Sequence, residues 1–369
     1  MSAPAPFYLT GSLKCFLLFD IAEEIDLPSL HHILGTSPSR REPAFRHPAP
    51  EYVRFERPPV EESMGPREIT PERIVNVRIR YFDYGVASVE LDMPFHGSWA
   101  ELVHLANLWI MSPELERSAN TFLQENLTRT APAMKKQYEN WISEDYYVVQ
   151  LDPLLDEEGQ VITAEQLLKE HGAEIAQIVR GEDMPLSTSE RNEVLQSSMS
   201  YHPSDLLVLA WVAAFVYDSP ADAEPTIDLL EYANTQLLEF RYYDDVLTDV
   251  LADVYDRLEQ KHTMWARWKL AREAENLNTI RLDYQELAER TDNAIKFLSD
   301  MFYARTYRLA AARIGVTDYR TLVTAKLDTA RDLYTSMVNE FHQGRAFFLE
   351  VMVVVILMIE IVFLFKGKS

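Results

Sequence analysis

The chain has 369 residues, 47% of them apolar and 25% charged, which is enough to form two or three packed units and is unlike a disordered polymer. A formal charge of -23 and a pI near 4.8 argue against broad contact with nucleic-acid backbone or anionic headgroups, so no direct DNA binding is expected. The single cysteine, Cys15, lies in an apolar strand-like run; it excludes an internal disulfide or a cysteine-cluster metal site and reads as a small core residue.

From the first residues, MSAPAPFYLTGSLKCFLLFDIAEE has no basic leader and no Arg-rich, acid-poor character, so neither a signal peptide nor a transit peptide is expected there. Residues 7–34 predict a strand, GSLKCFLLFD, and then a helix around Pro28. Eight prolines between Gly35 and Pro71 forbid a helix and predict a long loop over 35–71 with a short edge strand such as YVRFE. The next stretch, Arg73 to Met93, alternates through Ile74, Val77, Ile79 and Tyr81, turns around Asp83 to Gly85, and alternates again through Val86, Val89 and Leu91, which is a hairpin. A helix begins at Ser98, with Glu101 three residues on as the second half of a capping box. DYYVVQL, Asp145 to Leu151, is a further strand. This order predicts an α+β domain over 1–152 built as a ferredoxin-like split βαβ layer.

Residues 153–222 read as a mixed connecting region. Within it DLLVLAWVAAFVY, Asp205 to Tyr217, is either a buried strand paired with EVLQSSMSY or a buried helix. Residues 223–345 predict long helices. Leu230, Ala233, Leu237, Phe240, Asp244, Leu247, Leu251, Val254 and Leu258 alternate spacings of three and four, a coiled-coil seam carrying one acidic defect. Asp244, with Arg241 three residues earlier, reads as a register-fixing polar residue, the alternative being part of a buried ion pair or site. A second helix follows Leu277, Ile280, Tyr284, Leu287, Thr291, Ala294 and Leu298. A third, with Tyr319, Val323, Lys326, Ala330, Leu333, Met337 and Phe341 on one face, continues without a stop into residues 346–365.

Those residues, AFFLEVMVVVILMIEIVFLF, are apolar except for Glu350 and Glu360, and twenty residues of helix rise about 30 Å. They predict one transmembrane helix with Arg345 and Lys366 as interfacial anchors. The chain is then a single-pass, tail-anchored membrane protein with its bulk on the cytoplasmic side and only 366–369 across. Glu350 and Glu360, about 15 Å apart along the axis, need a helical partner or water in such a setting, which implies self-association or, as an alternative, a channel or transport role.

No P-loop, GxGxxG, GxSxG, HExxH or EF-hand loop is present, and the nine histidines are scattered, so no enzyme and no cofactor is expected. Trp265, Arg267, Trp268 and Arg272, interleaved in MWARWKLAR, form the candidate surface for a protein partner. LLEYANTQLLEFRYYDDVL (Leu229 to Leu247), the block LLVLAWVAAFVYD (Leu206 to Asp218) and the terminal pattern of Leu349, Glu350 and Glu360 resemble the RMD/RMND family, "required for meiotic nuclear division" or sporulation proteins, across roughly residues 7–365. That resemblance implies a membrane-anchored homo-oligomer; mitochondrial relatives sit in the inner membrane and support translation, so ribosome association is possible. Without a transit peptide, a bacterial inner membrane is the expected setting. The whole predicts a non-enzymatic scaffold that tethers or organises a partner complex.

Overall fold

The computed structural model describes residues 8–35, 58–70, 73–110, 112–259, 279–286, 288–289 and 301–366. These residues divide into two compact units, one of residues 1–240 with 291–318 and one of 241–290 with 319–369.

The first unit is built on an eight-stranded sheet with the order β3-β4-β5-β1-β7-β10-β9-β8. Its strands are β1 (Leu9–Asp20), β3 (Val60–Thr70), β4 (Arg73–Tyr81), β5 (Val86–Gly97), β7 (Ser143–Leu151), β8 (Ser198–Met199), β9 (Leu206–Leu209) and β10 (Ala213–Tyr217); β2 (Ala22–Ile25) and β6 (Met134–Gln137) pair separately. The central strand β1 is antiparallel to both of its neighbours, β5 and β7, and the parallel pair is β7 with β10. Taken in chain order, β1, β4, β5 and β7 stand in the sheet as β4-β5-β1-β7 with every neighbour antiparallel, which is the order of the expected ferredoxin-like layer; β3 extends it at one edge and β10-β9-β8 at the other. The chain leaves β1 through α1 (Leu27–Leu34), a helix of 8 residues, and returns by the β3-β4-β5 meander, which delivers β5 antiparallel. A parallel neighbour needs a longer crossover; β7 reaches β10 through α4 (Ala164–Arg180) and α5 (Thr188–Leu195).

The alternation of each strand sets two opposed faces. Leu13, Cys15, Leu17 and Phe19 of β1, Val75, Val77, Ile79 and Tyr81 of β4, and Val89 and Leu91 of β5 enter one core, covered by α2 (Trp99–Ile110), α3 (Pro113–Thr130) and α4. Ile74 was expected in that row; it is out of phase and 63% exposed. The capping box at α2 forms as the spacing predicts, with Ser98 N donating to Glu101 Oε2 at 2.7 Å and Glu101 N to Ser98 Oγ at 3.4 Å. On the other face Phe16, Leu18, Tyr146, Val148 and Val216 are buried as well. The first part of α6 (Pro220–Glu259) lies there, with α7 (Met301–Ile314) beside β9. Both faces are covered, so the unit has three layers.

Two predicted segments differ in detail. Val60–Thr70, expected as loop, is an 11-residue strand, and Pro66 is accommodated because β3 is the sheet edge and a register shift falls at Ser63/Gly65. The segment YVRFE lies outside the described residues. Asp205 to Tyr217 is a hairpin of β9 and β10, and β8, within EVLQSSMSY, pairs with β9.

The second unit is helical: α6 from residue 241, helical residues 279–286, and α8 (Val316–Lys366) from residue 319, a single helix of 51 residues. Among the described residues no helix is long and apolar enough to cross a membrane. The apolar run between Glu350 and Glu360 is the nine residues Val351 to Ile359, about 13.5 Å of helix, less than half of the ~30 Å that a bilayer core demands. This overturns the expected transmembrane helix over 346–365, the tail-anchored, single-pass membrane placement, the bilayer as partner, the anchoring roles of Arg345 and Lys366, and the channel alternative for Glu350 and Glu360.

The β4-β5 turn fixes how the meander meets β2. Gly85 has φ 98, and a Cβ there would sit 1.7 Å from the carbonyl oxygen of Ala22. Gly85→Ala is expected to lower stability by about 2–4 kcal/mol, measured as a shift in the urea midpoint, because it adds left-handed strain to a backbone clash.

Candidate functional site

The second face of the sheet carries a row of charge across four adjacent strands. Period-two alternation puts Arg78 and Arg80 of β4, Ser88, Glu90 and Asp92 of β5, Ser12 and Lys14 of β1, and Glu61 of β3 on that face. The registers bring Arg78 opposite Glu90, Lys14 opposite Asp92, and Glu61 opposite Arg80. Glu90, 2% exposed, is the centre: Lys14 Nζ donates to its Oε1 at 2.8 Å and Arg78 Nε to its Oε2 at 2.6 Å. Arg78 Nη1 also reaches Glu61 at 3.2 Å, and Lys14 lies 3.3 Å from Asp92.

α6 closes over this row. Arg80 Nη1 donates to Asp228 at 2.6 Å and to Glu231, and the Tyr84 hydroxyl meets Thr235 at 2.7 Å. Leu229 to Phe240 are buried all round, including Glu231, Asn234, Gln236 and Glu239. Asn234 and Thr235 satisfy themselves on the helix's own carbonyls, Leu230 O and Tyr232 O.

Burial alone would raise the Glu90 carboxyl, but Lys14, Arg78 and Arg80 outweigh it and hold its pKa down at about 2. Burial likewise works against the Lys14 ammonium and the Arg80 guanidinium, yet the facing carboxylates, Glu90 for Lys14 and Glu231 with Asp228 for Arg80, leave both raised. Glu231 is pushed up by burial despite Arg80. Glu90 and its cations therefore keep their charges across the physiological range, and the row acts as a clamp between sheet and helix. A cleft of about 410 Å³ opens at its end, lined by Lys14, Arg78, Glu90, Asp92, Asp152 and Asp228 among others. Among the described residues no group of three or more His, Cys, Asp or Glu is placed to hold a metal ion.

Of the residues singled out in the sequence, Asp244 lies in the second unit, where its carboxylate is 2.6 Å from Lys326 Nζ of α8. Lys326 also donates to Thr248 Oγ1 at 2.6 Å. Next to this pair the Tyr284 hydroxyl lies 3.0 Å from Thr324 Oγ1, and Tyr243 and Tyr284 meet edge to face. Three helical segments thus share one polar layer, the kind that fixes register. Arg241 is half-buried beside it on α6. Trp265, Arg267, Trp268 and Arg272 lie outside the described residues. Arg345, Glu360 and Lys366 belong to the α8 backbone, and Glu350 is exposed at the start of the run Val351 to Ile359, whose nine side chains are each 43–59% exposed. The residues of the charged row were not singled out by sequence reasoning. Their signal was present as paired charges two apart, Arg78 with Arg80 and Glu90 with Asp92, which are opposite in sign across the hairpin.

Residues 10–224 match the family described as "Uncharacterized protein MJ0711, N-terminal domain". The chain belongs to that family. Its matched region runs from β1 to the start of α6 and so contains the whole sheet and the sheet's share of the charged row. A relative within reach of pairwise comparison is "Uncharacterized protein MJ0711" of Methanocaldococcus jannaschii, 22% identical over 198 residues, which are 54% of this chain and 61% of the relative. The chain thus spans about 61% of that relative's length. No solved structure matches.

The clamp makes stability depend on pH in a definite direction. With Glu90 shifted from an unfolded value near 4.5 to about 2, its contribution is complete above pH 4.5 and is lost as pH falls through 2. That contribution is about 3 kcal/mol. Glu90→Gln is expected to lower stability at pH 7 and to flatten the fall between pH 4.5 and 2, measured by urea unfolding at a series of pH values.

Proposed function

We propose that this protein is a non-enzymatic, homo-oligomeric scaffold: copies associate through the apolar end of α8, and the three-layer unit is presented to a protein partner. The observation that carries this reading is Val351 to Ile359, nine consecutive apolar residues exposed on every side of one helix. Exposed apolar runs of this kind belong to interaction surfaces. One partner helix covers a single stripe, so side chains distributed round the whole circumference call for neighbours on more than one side, a bundle of three or more copies.

The polar layer of Asp244, Lys326, Tyr284 and Thr324 supports the same reading, because it fixes how the helices of one copy pack before copies meet. The finer family placement, with the RMD/RMND proteins, belongs to this proposal and rests on Leu229 to Leu247, part of which is the buried stretch of α6. On that placement the partner is a translation-linked complex such as the ribosome. With a chain this acidic, such contact would be made to ribosomal protein rather than to RNA phosphate.

Light scattering on the full chain at micromolar concentration, without detergent, tests the proposal. A trimer or larger is expected, with Ile356→Lys shifting it to monomer while leaving the circular dichroism unchanged. A monomeric wild-type chain would contradict it.

A further inference from the structure

The cleft of about 410 Å³ at the end of the charged row has a second wall, which the row does not use. β1 and β7 run antiparallel there with Ser12 opposite Gln150, a pairing that sets their Cβ atoms about 4.5–5.5 Å apart on one face of the sheet. Asp152 follows two residues after Gln150 and shares that face, and its N–H donates to Thr10 O at 2.9 Å, which continues the ladder. All three residues line the cleft, and Pro220, Ala221 and Ile227 add apolar surface from α6.

The three side chains have acceptor capacity left over. Gln150 is 4% exposed and its amide is fixed: Nε2 donates to Asp152 Oδ1 at 3.0 Å and to Asp218 O at 2.7 Å, and because both partners are acceptors the amide has one orientation. Both of its N–H groups are then spent. Among the described residues nothing donates to Gln150 Oε1, to Ser12 Oγ or to Asp152 Oδ2. A carbonyl oxygen on a side chain this buried calls for a donor from the cleft.

Charge points the same way. On the strands, Lys14 and Arg78 are matched by Glu90 and Asp92 within the row, and among the described residues no cation lies within ion-pair distance of Asp152. The wall thus offers three acceptors, one of them anionic. A primary ammonium carries three N–H donors and one positive charge, so it matches that set group for group. A quaternary ammonium would leave the acceptors unmet, and an anion would be repelled by Asp152.

We propose that this wall of the cleft binds a primary alkylammonium group, with Ser12 Oγ, Gln150 Oε1 and Asp152 taking its three N–H groups and Pro220, Ala221 and Ile227 meeting its carbon chain. The site is independent of the oligomer contact proposed above. Two sources carry this chemistry, a free aliphatic diamine and the lysine side chain of a protein partner.

Isothermal titration calorimetry on the full chain tests this with putrescine and with Nα-acetyllysine methylamide, each beside its fully N-methylated form, which keeps the charge and removes the N–H donors. Putrescine or the lysine amide is expected to bind, with its methylated form at least about tenfold weaker. The tighter of the two primary amines identifies the source. Ser12→Ala, which removes a hydroxyl that bonds nothing else in the described structure, is expected to weaken binding about tenfold with the melting temperature unchanged. Asp152→Asn keeps an oxygen acceptor, loses the charge and is expected to weaken binding by about tenfold or more. Equal binding of a primary amine and its methylated form would overturn the proposal, as would no heat with either primary amine. Those comparisons use the wild-type chain and stand even if the variants fail to fold.

Discussion

Glu90 and the three cations around it decide how the first unit is assembled. A carboxylate at 2% exposure is tolerated only where its charge is met on several sides, and here Lys14, Arg78 and Arg80 meet it from β1 and β4. Arg80 then turns from the sheet to Asp228 and Glu231 on α6. The sequence of contacts, Lys14 to Glu90 to Arg78 and from Arg80 to α6, ties β1, β4 and β5 to a helix that would otherwise have to bury Glu231 alone. An apolar interface of the same area would hold the layers together without specifying their register. Charge rows satisfied only in one alignment do specify it, and the four-strand registers and the position of α6 are mutually dependent for that reason.

Much of this architecture was legible one element at a time. The alternation of GSLKCFLLFD and of the two hairpin arms predicted β1, β4 and β5, the Ser98 and Glu101 spacing predicted the start of α2, and the three-four spacing through Val254 predicted the buried seam of α6. What the pattern could not show was which elements meet. Arg78, Arg80, Glu90 and Asp92 fit a solvent-facing side of a two-layer domain, and only the presence of α6 over that face makes them interior. Element order predicted the four-strand ferredoxin-like core, β4-β5-β1-β7, and did not show that β3 and β10-β9-β8 extend its two edges into one sheet of eight strands. Pro66 was read as a barrier to a strand, and an edge position with a bulge removes that barrier.

The helical unit presents the opposite balance. Asp244 stood out in the sequence as a defect in an apolar seam, and Lys326 stood out on one face of the third helix; their pairing required the two helices to be placed together. A polar layer of this kind weakens an apolar interface slightly and excludes shifted packings. The end of α8 has no such layer among its described side chains. Between Glu350 and Glu360 its apolar run is too short for a bilayer and is exposed on all sides, which is the observation behind the proposed association of copies. The transmembrane reading counted twenty residues as one apolar segment; the two glutamates divide it.

The dependence of the first unit on its ion row is tested most directly by Arg80→Met, followed by urea unfolding together with hydrogen exchange of the α6 amides over residues 228–240. Removing the guanidinium leaves Asp228 and buried Glu231 without their cation, so a loss of about 3–5 kcal/mol is expected, with the α6 amides and those of β1 losing protection in step. A loss below about 1 kcal/mol, or α6 exchange unchanged while the sheet weakens, would contradict the account that the charged row fastens this helix to the sheet.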